Sequence, residues 1–145
     1  VFEGYWNQSD ANQEAFVDDP NECWFRTGDL GKLDEDGYLK IIGRKKELII
    51  SGGYNVYPRE VDDVLINHPA IEQVAVAGLP SEEWGEEVAA WIVPTSQEKI
   101  PSLEEIREFC RQYLAAYKLP QRLVIVNNLP RNALGKVLRH ELREN

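Results

Sequence analysis

Cysteine and histidine are scarce in this chain of 145 residues, which contains two of each. Cys23 and Cys110 form no C-x-x-C pair, and together with His68 and His140 they show no metal-ligand spacing. The sequence therefore predicts that the chain builds no metal site. Unpaired cysteines of this kind are typical of a reducing compartment, so we expect a cytoplasmic protein.

Basic residues are also in the minority, because 16 lysines and arginines are set against 25 aspartates and glutamates. This balance disfavours nucleic-acid binding through a broad basic surface, although a local cluster or a glycine-rich turn can still bind an anion. No apolar run approaches the roughly 20 residues that cross a bilayer, so we expect no transmembrane segment, while peripheral membrane contact stays open. The first residues contain neither Met nor a basic segment, unlike a signal peptide, and suggest the continuation of a longer polypeptide.

The chain has the composition of a folded globule, with 43% hydrophobic residues that include four Trp, six Tyr and four Phe. Asp36-Gly37 lies between two apolar runs and predicts an antiparallel hairpin within residues 24–43, because glycine accepts the positive φ of such a turn. Residues 47–50 predict a strand. Pro58 begins an amphipathic helix that ends before Asn67, since proline suits the first turn of a helix.

The second half of the chain continues this alternation of strands and helices. Ser102 and Glu105 form a capping box, and it begins a helix whose apolar spacing continues to Tyr117. The other predicted elements are strands at 74–77, 88–93 and 123–126, a loop from Asn127 to Gly135 and a last helix from Leu138 to Glu144. From residue 47 onward the order is β, α, β, β, α, β, α, which predicts an α+β fold with a small, largely antiparallel sheet flanked by helices.

The distribution of apolar residues predicts two domains of unequal completeness. Residues 1–43 have too few periodic apolar positions for a core of their own, whereas residues 47–145 could fold alone. We therefore predict the tail of one domain at 1–43, a hinge at 44–46 and a complete second domain at 47–145.

Four segments contain residues that folding alone does not require. The acidic residue of Thr27-Gly28-Asp29 could bind ribose hydroxyls, and the cations of Gly43-Arg44-Lys45-Lys46 could hold an anion or form a hinge. Ser51-Gly52-Gly53-Tyr54 would allow a ligand close to the backbone, and the lysine that ends Leu129–Lys136 could neutralise phosphoryl charge. The ordinary alternatives are an Asx turn, a solvated basic turn, a tight turn and a surface lysine, and each is favoured when its segment is taken singly.

Taken together, the four segments resemble the adenylate-forming (AMP-binding) superfamily of acyl-CoA synthetases, firefly luciferase and peptide-synthetase adenylation domains. The matching motifs, in order, are Arg26-Thr27-Gly28-Asp29, Gly43–Ile49, Gly52–Pro58 and Pro130-x4-Gly135-Lys136, with Gly4-Tyr5-Trp6-Asn7 as a further upstream match. The resemblance covers essentially the whole chain. It implies the C-terminal portion of a longer enzyme: a β-hairpin tail of the large N-terminal AMP-binding domain, a hinge and a mobile lid domain. The phosphate loop, adenine pocket and acyl tunnel would lie in the N-terminal domain, so this chain alone is expected to be inactive.

The resemblance also implies roles for individual positions. Asp29 resembles the residue that binds the ribose hydroxyls of ATP or AMP, and Arg44 resembles the arginine that supports the same nucleotide. Lys46 matches the hinge position, and Lys136 resembles the catalytic lysine of adenylation. Gly52-Gly53-Tyr54 resembles the CoA-binding loop, which lines the pantetheine tunnel.

The implied activity is that of an acid–thiol ligase with two half-reactions. A carboxylate attacks the α-phosphate of ATP, bound with Mg mainly by the N-terminal domain, and gives an acyl-adenylate and pyrophosphate. CoA thiolate then displaces AMP. Lys136 would act in the first step, and rotation about Lys46 would bring in the Gly52-Gly53 loop for the second.

The segment Lys45–Pro58 is most similar to bacterial fatty acyl-CoA and malonyl-CoA synthetases. Ile50 stands where luciferases have a second functional lysine, which argues against a luciferase. We therefore predict a long-chain fatty acid–CoA ligase whose partners are its own N-terminal domain, a carboxylate, ATP and CoA. Two alternatives stay open: a malonyl-CoA or other short or aryl acyl-CoA synthetase, and a stand-alone, non-catalytic binding module.

Overall fold

A computed structural model of the chain describes residues 2–17 and 24–143, which belong to two compact units that divide between Lys45 and Lys46. Cys23 and the predicted end of the last helix at Glu144 lie outside the described residues. The assignment of residues 1–43, 44–46 and 47–145 to a domain tail, a hinge and a lid domain stays a prediction. In the described part of the chain, no helix is both long and apolar enough to cross a membrane.

The first unit contains one short helix and two pairs of antiparallel strands. Its elements are α1 (Ser9–Ala15), β1 (Phe16–Val17), β2 (Trp24–Phe25), β3 (Asp29–Leu33) and β4 (Leu39–Arg44). The strands β3 and β4 form the predicted hairpin, and the Asp34 carboxylate accepts hydrogen bonds from the N–H groups of Asp36 at 3.1 Å and Tyr38 at 2.8 Å. Among the described residues of this unit, no side chain is fully buried.

The second unit has the predicted α+β fold. After a 3₁₀ turn (Lys45–Glu47) come β5 (Ile49–Ser51), β6 (Tyr54–Val56), α2 (Pro58–Leu65), β7 (Ile71–Ser81), β8 (Gly85–Pro94), α3 (Leu103–Arg111), a 3₁₀ turn (Ala116–Lys118), β9 (Arg122–Ile125) and α4 (Arg139–Leu142). Five strands form one sheet in the order β6-β5-β8-β7, with β9 parallel to β8 and the other pairs antiparallel. The small, largely antiparallel sheet with helices is confirmed.

The largest differences from the predicted elements concern one missed strand, one hairpin and one helix end. Strand β6 was not predicted, because a three-residue strand directly after a glycine turn is too short to show alternation. The strands β7 and β8 extend into the predicted acidic link at 80–87, where Glu86 and Glu87 pair across the hairpin with Pro80 and Leu79. Helix α3 ends at Arg111 rather than near Tyr117, and the apolar spacing continued beyond it because the chain still buries Leu114 in a turn.

The core of the second unit covers both faces of the sheet. On the first face, α2 and α3 pack against the strands; this cluster includes Val61, Leu65, Val76, Val88, Ile92, Ile106 and Cys110. The second face carries Ala75, Ala77, Ala89, Trp91, Val93, Leu129 and Leu142. Both faces are covered, which explains why β7 and β8 have nearly continuous apolar runs. Burial raises the pKa of the Cys110 thiol to about 11.

Arg139 and Asp62 close the outer edge of β7, which is the last of the described strands on its side of the sheet. The Val76 N–H donates to the Asp62 carboxylate at 2.7 Å, and Arg139 donates to the Val76 carbonyl at 2.6 Å and to Asp62. The Arg139 guanidinium also lies 3.2 Å from a carboxylate oxygen of Glu47. Burial raises the pKa of Asp62, although Arg139 acts to lower it. This set of contacts joins α4, α2, β7 and the start of the second unit.

We expect Arg139→Met to lower the free energy of unfolding by about 3 kcal/mol, because Asp62 would keep a buried carboxylate without its cation. This is the low end for a buried pair, since the Arg139 and Asp62 side chains remain 18% and 16% exposed. The matched control is Arg59→Met, because Arg59 pairs with Asp63 on the exposed side of the same helix α2 and should change stability by less than about 1 kcal/mol. Urea unfolding of both variants measures the difference.

The pH dependence gives a second check on Arg139→Met. Since the pKa of Asp62 is already raised in the folded state, its contribution to stability falls as the pH rises from its usual range through the raised value. Loss of Arg139 raises that pKa further. The free energy of unfolding of the variant should therefore differ from that of the wild type more at pH 7 than at pH 4. An equal difference at both pH values would contradict the assigned role of Asp62.

Candidate functional site

Lys136 lies in a tight loop whose shape is set by Asn132. The Asn132 side-chain oxygen accepts hydrogen bonds from the N–H groups of Leu134 at 3.0 Å and Lys136 at 2.9 Å. The backbone of Asn132 bonds to Lys136 and to Gly135, and Gly135 has a φ of +80°, which an L side chain rarely adopts. The loop therefore has a defined backbone and presents Lys136 on the surface.

A cavity of about 420 Å³ brings Lys136 next to Lys46. Its charged and titratable lining residues are Lys46, Glu47, Lys136, Arg139, His140 and Arg143. Four lining side chains are lysine or arginine and one is a carboxylate. Arg139 is already paired with Asp62 and Glu47, so the rest of this positive charge, which includes Lys136, would attract an anionic group. The predicted hinge and catalytic positions are thus neighbours in the fold.

The sequence did not predict a functional role for Arg139, His140 and Arg143. A signal for them was present, because three basic residues follow Lys136 within the short predicted helix Leu138–Glu144. Arg139 belongs both to this lining and to the contacts at the edge of β7, so the wall of the cavity is fixed to the sheet.

Asp29 and Arg44 lie directly opposite each other on β3 and β4. The Arg44 Nε is 3.0 Å from Asp29 Oδ1, and the Asp29 side chain is 28% exposed. The N–H of Asp29 donates to the Thr27 hydroxyl at 3.1 Å, so a Thr27 turn holds this end of the strand. The structure therefore pairs the two residues that were predicted to serve one nucleotide, both within the first unit.

Gly52 and Gly53 form the tip of the β5–β6 hairpin, with φ values of +56° and +81°. Two consecutive positive φ values are typical of a two-residue turn that suits the twist of a hairpin. The Gly52 N–H donates to the Trp84 carbonyl at 2.9 Å, and a Cβ on Gly52 would lie 2.8 Å from the Trp84 ring. Tyr54 stacks on Tyr117 with ring centroids 4.7 Å apart. The tip is thus a defined surface with an exposed backbone at Gly53.

We expect Gly52→Ala to destabilise the chain by about 2 kcal/mol, because alanine would occupy a left-handed φ and also contact the Trp84 ring. The matched control is Gly53→Ala, which has the same backbone cost of about 1 kcal/mol but no atom within 4 Å of the new Cβ. Urea unfolding of both variants, with and without Trp84→Ala, measures the contact. Equal losses for the two glycines would mean that the Trp84 ring does not restrict the tip.

Comparison with known proteins gives relatives that match nearly the whole chain. Residues 60–136 match the family described as the AMP-binding enzyme C-terminal domain. The chain is 48% identical over 140 residues to the long-chain-fatty-acid–CoA ligase FadD13 of Mycobacterium tuberculosis, covering 97% of this chain and 27% of that protein. It is 46% identical over 144 residues to a 2-succinylbenzoate–CoA ligase of Bacillus velezensis, covering 99% and 28%.

A solved structure matches in the same way. The crystal structure of ATP-bound MatB from Rhodopseudomonas palustris has a TM-score of 0.88 and 40% identity, covering 99% of this chain and 28% of that protein. The chain thus spans little more than a quarter of the length of each of these relatives.

Proposed function

Because the chain belongs to the family of AMP-binding enzyme C-terminal domains, we propose that it is the C-terminal portion of an AMP-forming carboxylate–CoA ligase. The observation that carries the proposal is the basic cavity that Lys136 shares with Lys46. Lys136 would act on the nucleotide, and Lys46 would be the hinge about which the domain rotates. The partner of the chain would be its own N-terminal domain, in the cytoplasm.

In the first half-reaction, Lys136 would bridge an oxygen of the attacking carboxylate and the α-phosphate of MgATP, and its positive charge would reduce the repulsion between these two anionic groups. Its ammonium group can do this because the Asn132 loop presents it on the surface with a defined backbone. Asp29, held by Arg44, offers a carboxylate acceptor for the two ribose hydroxyls. The products would be an acyl-adenylate and pyrophosphate.

In the second half-reaction, the thiolate of CoA would attack the acyl carbonyl and AMP would leave. A hinge at Lys46 would withdraw Lys136 and bring the Gly52-Gly53 tip to the reacting groups. The tip suits a pantetheine chain, because Gly53 has no side chain and its surroundings are open. Tyr54 and Tyr117, stacked beside it, would give the tunnel a rigid wall.

We propose a long-chain fatty acid as the carboxylate, which agrees with the name of the relative at 48% identity. A 2-succinylbenzoate–CoA ligase is almost as similar, at 46% identity, so aryl and short carboxylates, including malonate, are the alternatives. A panel of these acids in an ATP–pyrophosphate exchange assay of the full-length ligase identifies the substrate. The present chain alone should give no exchange, because it would lack the surfaces that position two reactants.

We expect Lys136→Ala in the full-length ligase to slow acyl-adenylate formation by about 10²–10³-fold, the cost of removing one preorganised charge from a phosphoryl transition state. Thioester formation from pre-made acyl-adenylate and CoA should change little. Lys99→Ala, which removes an exposed lysine elsewhere in the second unit, should leave both rates unchanged. An equal loss in the two half-reactions of Lys136→Ala would show that the proposed role is wrong.

We expect Lys46→Pro to retain acyl-adenylate formation and to abolish CoA-dependent turnover. Lys46 lies in a 3₁₀ turn, whose φ is compatible with proline, so the substitution would fix this backbone and prevent the rotation. Lys46→Ala is the control, since it removes the charge but leaves the backbone free to rotate. The two half-reactions are measured on one preparation together with its melting temperature. Parallel losses that follow the melting temperature would mean that residues 43–46 are only a linker.

A further inference from the structure

We propose that Arg131 is a positioning residue for Lys136 and that it acts together with Gln73 of β7. The inference rests on the proposed function of Lys136 and identifies what holds its loop against the sheet. The Arg131 guanidinium donates to the Gly135 carbonyl at 2.7 Å and to the Gln73 side-chain oxygen at 2.9 Å. One side chain therefore links the residue before Lys136 to a strand of the central sheet.

The other hydrogen bonds that the structure describes within residues 130–136 are local, and Arg131 makes the one that reaches the sheet. Val137, directly after Lys136, adds an apolar contact with the second core cluster. Asn132 bonds to the N–H groups of Leu134 and Lys136, which sets the shape of the loop but does not attach it to the sheet. At the base of the loop, the Leu138 N–H donates to the Pro130 carbonyl at 2.9 Å. At the tip, the Leu134 side chain is 92% exposed and so gives the loop little packing.

The position of Gln73 on β7 suits this link. A register shift lies between Ile71 and Gln73, where β7 has one more residue than its partner β8. The shift allows Ile71 to enter the first core cluster, whereas Ala75 and Ala77, which are in step with Gln73, belong to the second. By the alternation of a strand, Gln73 shares the face of the sheet on which Leu129 and Leu142 pack.

Arginine is the residue type that this link requires. Its planar guanidinium presents several donors in a fixed fork, so it can reach a carbonyl and a side-chain amide oxygen at the same time. Both bonds come from a charged donor, which makes them stronger than bonds between neutral groups. A lysine could make either bond but would not hold the two acceptors in one plane.

The test uses the full-length ligase and compares Arg131→Ala with Lys136→Ala and with the double variant. We expect Arg131→Ala to lower the kcat of ATP–pyrophosphate exchange about tenfold, equivalent to about 1.4 kcal/mol, with thioester formation from pre-made acyl-adenylate unchanged. In the Lys136→Ala background, Arg131→Ala should cause no further loss. Gln73→Leu should reproduce part of this loss of rate. Gln73→Glu keeps a hydrogen-bond acceptor, so it should retain the wild-type rate.

The matched control is Arg122→Ala, because Arg122 is another exposed arginine of the second unit with an ion pair, to Glu87. A readout that does not depend on activity is hydrogen exchange at the N–H of Leu134 and Lys136 in the present chain. It should accelerate in Arg131→Ala and not in Arg122→Ala.

Four results would overturn the inference. Multiplying losses in the double variant would mean that Arg131 acts independently of Lys136, and parallel losses in both half-reactions that follow the melting temperature would mean a structural role. A normal rate of ATP–pyrophosphate exchange in Arg131→Ala, together with a strongly reduced rate in Lys136→Ala, would refute the inference and leave the proposed function intact. If Lys136→Ala itself has a normal rate, the proposed role of Lys136 and this inference both fail.

Discussion

The second unit depends on one constraint at the edge of its sheet, where the backbone of Val76 must find hydrogen-bond partners. Asp62 accepts a hydrogen bond from the N–H of Val76, and Arg139 donates one to the Val76 carbonyl. Two charged side chains thus satisfy the backbone groups that a neighbouring strand would otherwise pair with. Removing two charges from water is costly, and such a pair contributes little net stability. Its main effect is positional, because Arg139 also contacts Glu47 and so fixes the chain directly after Lys46.

Two surfaces that matter for the proposed reaction are organised in the same way. In each, a turn with a glycine at positive φ sets the local shape, and a side chain from elsewhere in the fold fixes its position. Trp84 does this for Gly52, and Arg131 does it for Gly135. The turn and the anchoring side chain have separate roles, because a tight turn defines only its own backbone, whereas catalysis requires a defined position relative to distant groups.

The elements that the sequence predicted are those with local causes. Asp36-Gly37 specifies a hairpin through its own backbone preference, and the capping box of Ser102 and Glu105 has both of its hydrogen bonds in the structure. The sequence did not predict the shared cavity of Lys46 and Lys136 or the link between Arg131 and Gln73. These residues are far apart in the chain and meet only because the sheet brings their elements together. Motif order could indicate that Lys136 belongs to a site, but no local pattern indicates which side chains surround it.

The burial of Cys110 bears on the proposed reaction, in which a reactive acyl group would form. An acyl-adenylate is an electrophile that a protein thiolate could intercept, which would leave the enzyme acylated on itself. A thiol with a pKa of about 11 is ionised to only about one part in a thousand at pH 8, and Cys110 is also fully covered by the first core cluster. Within the described residues, the chain thus offers no accessible thiolate that could take the acyl group from coenzyme A in the proposed reaction.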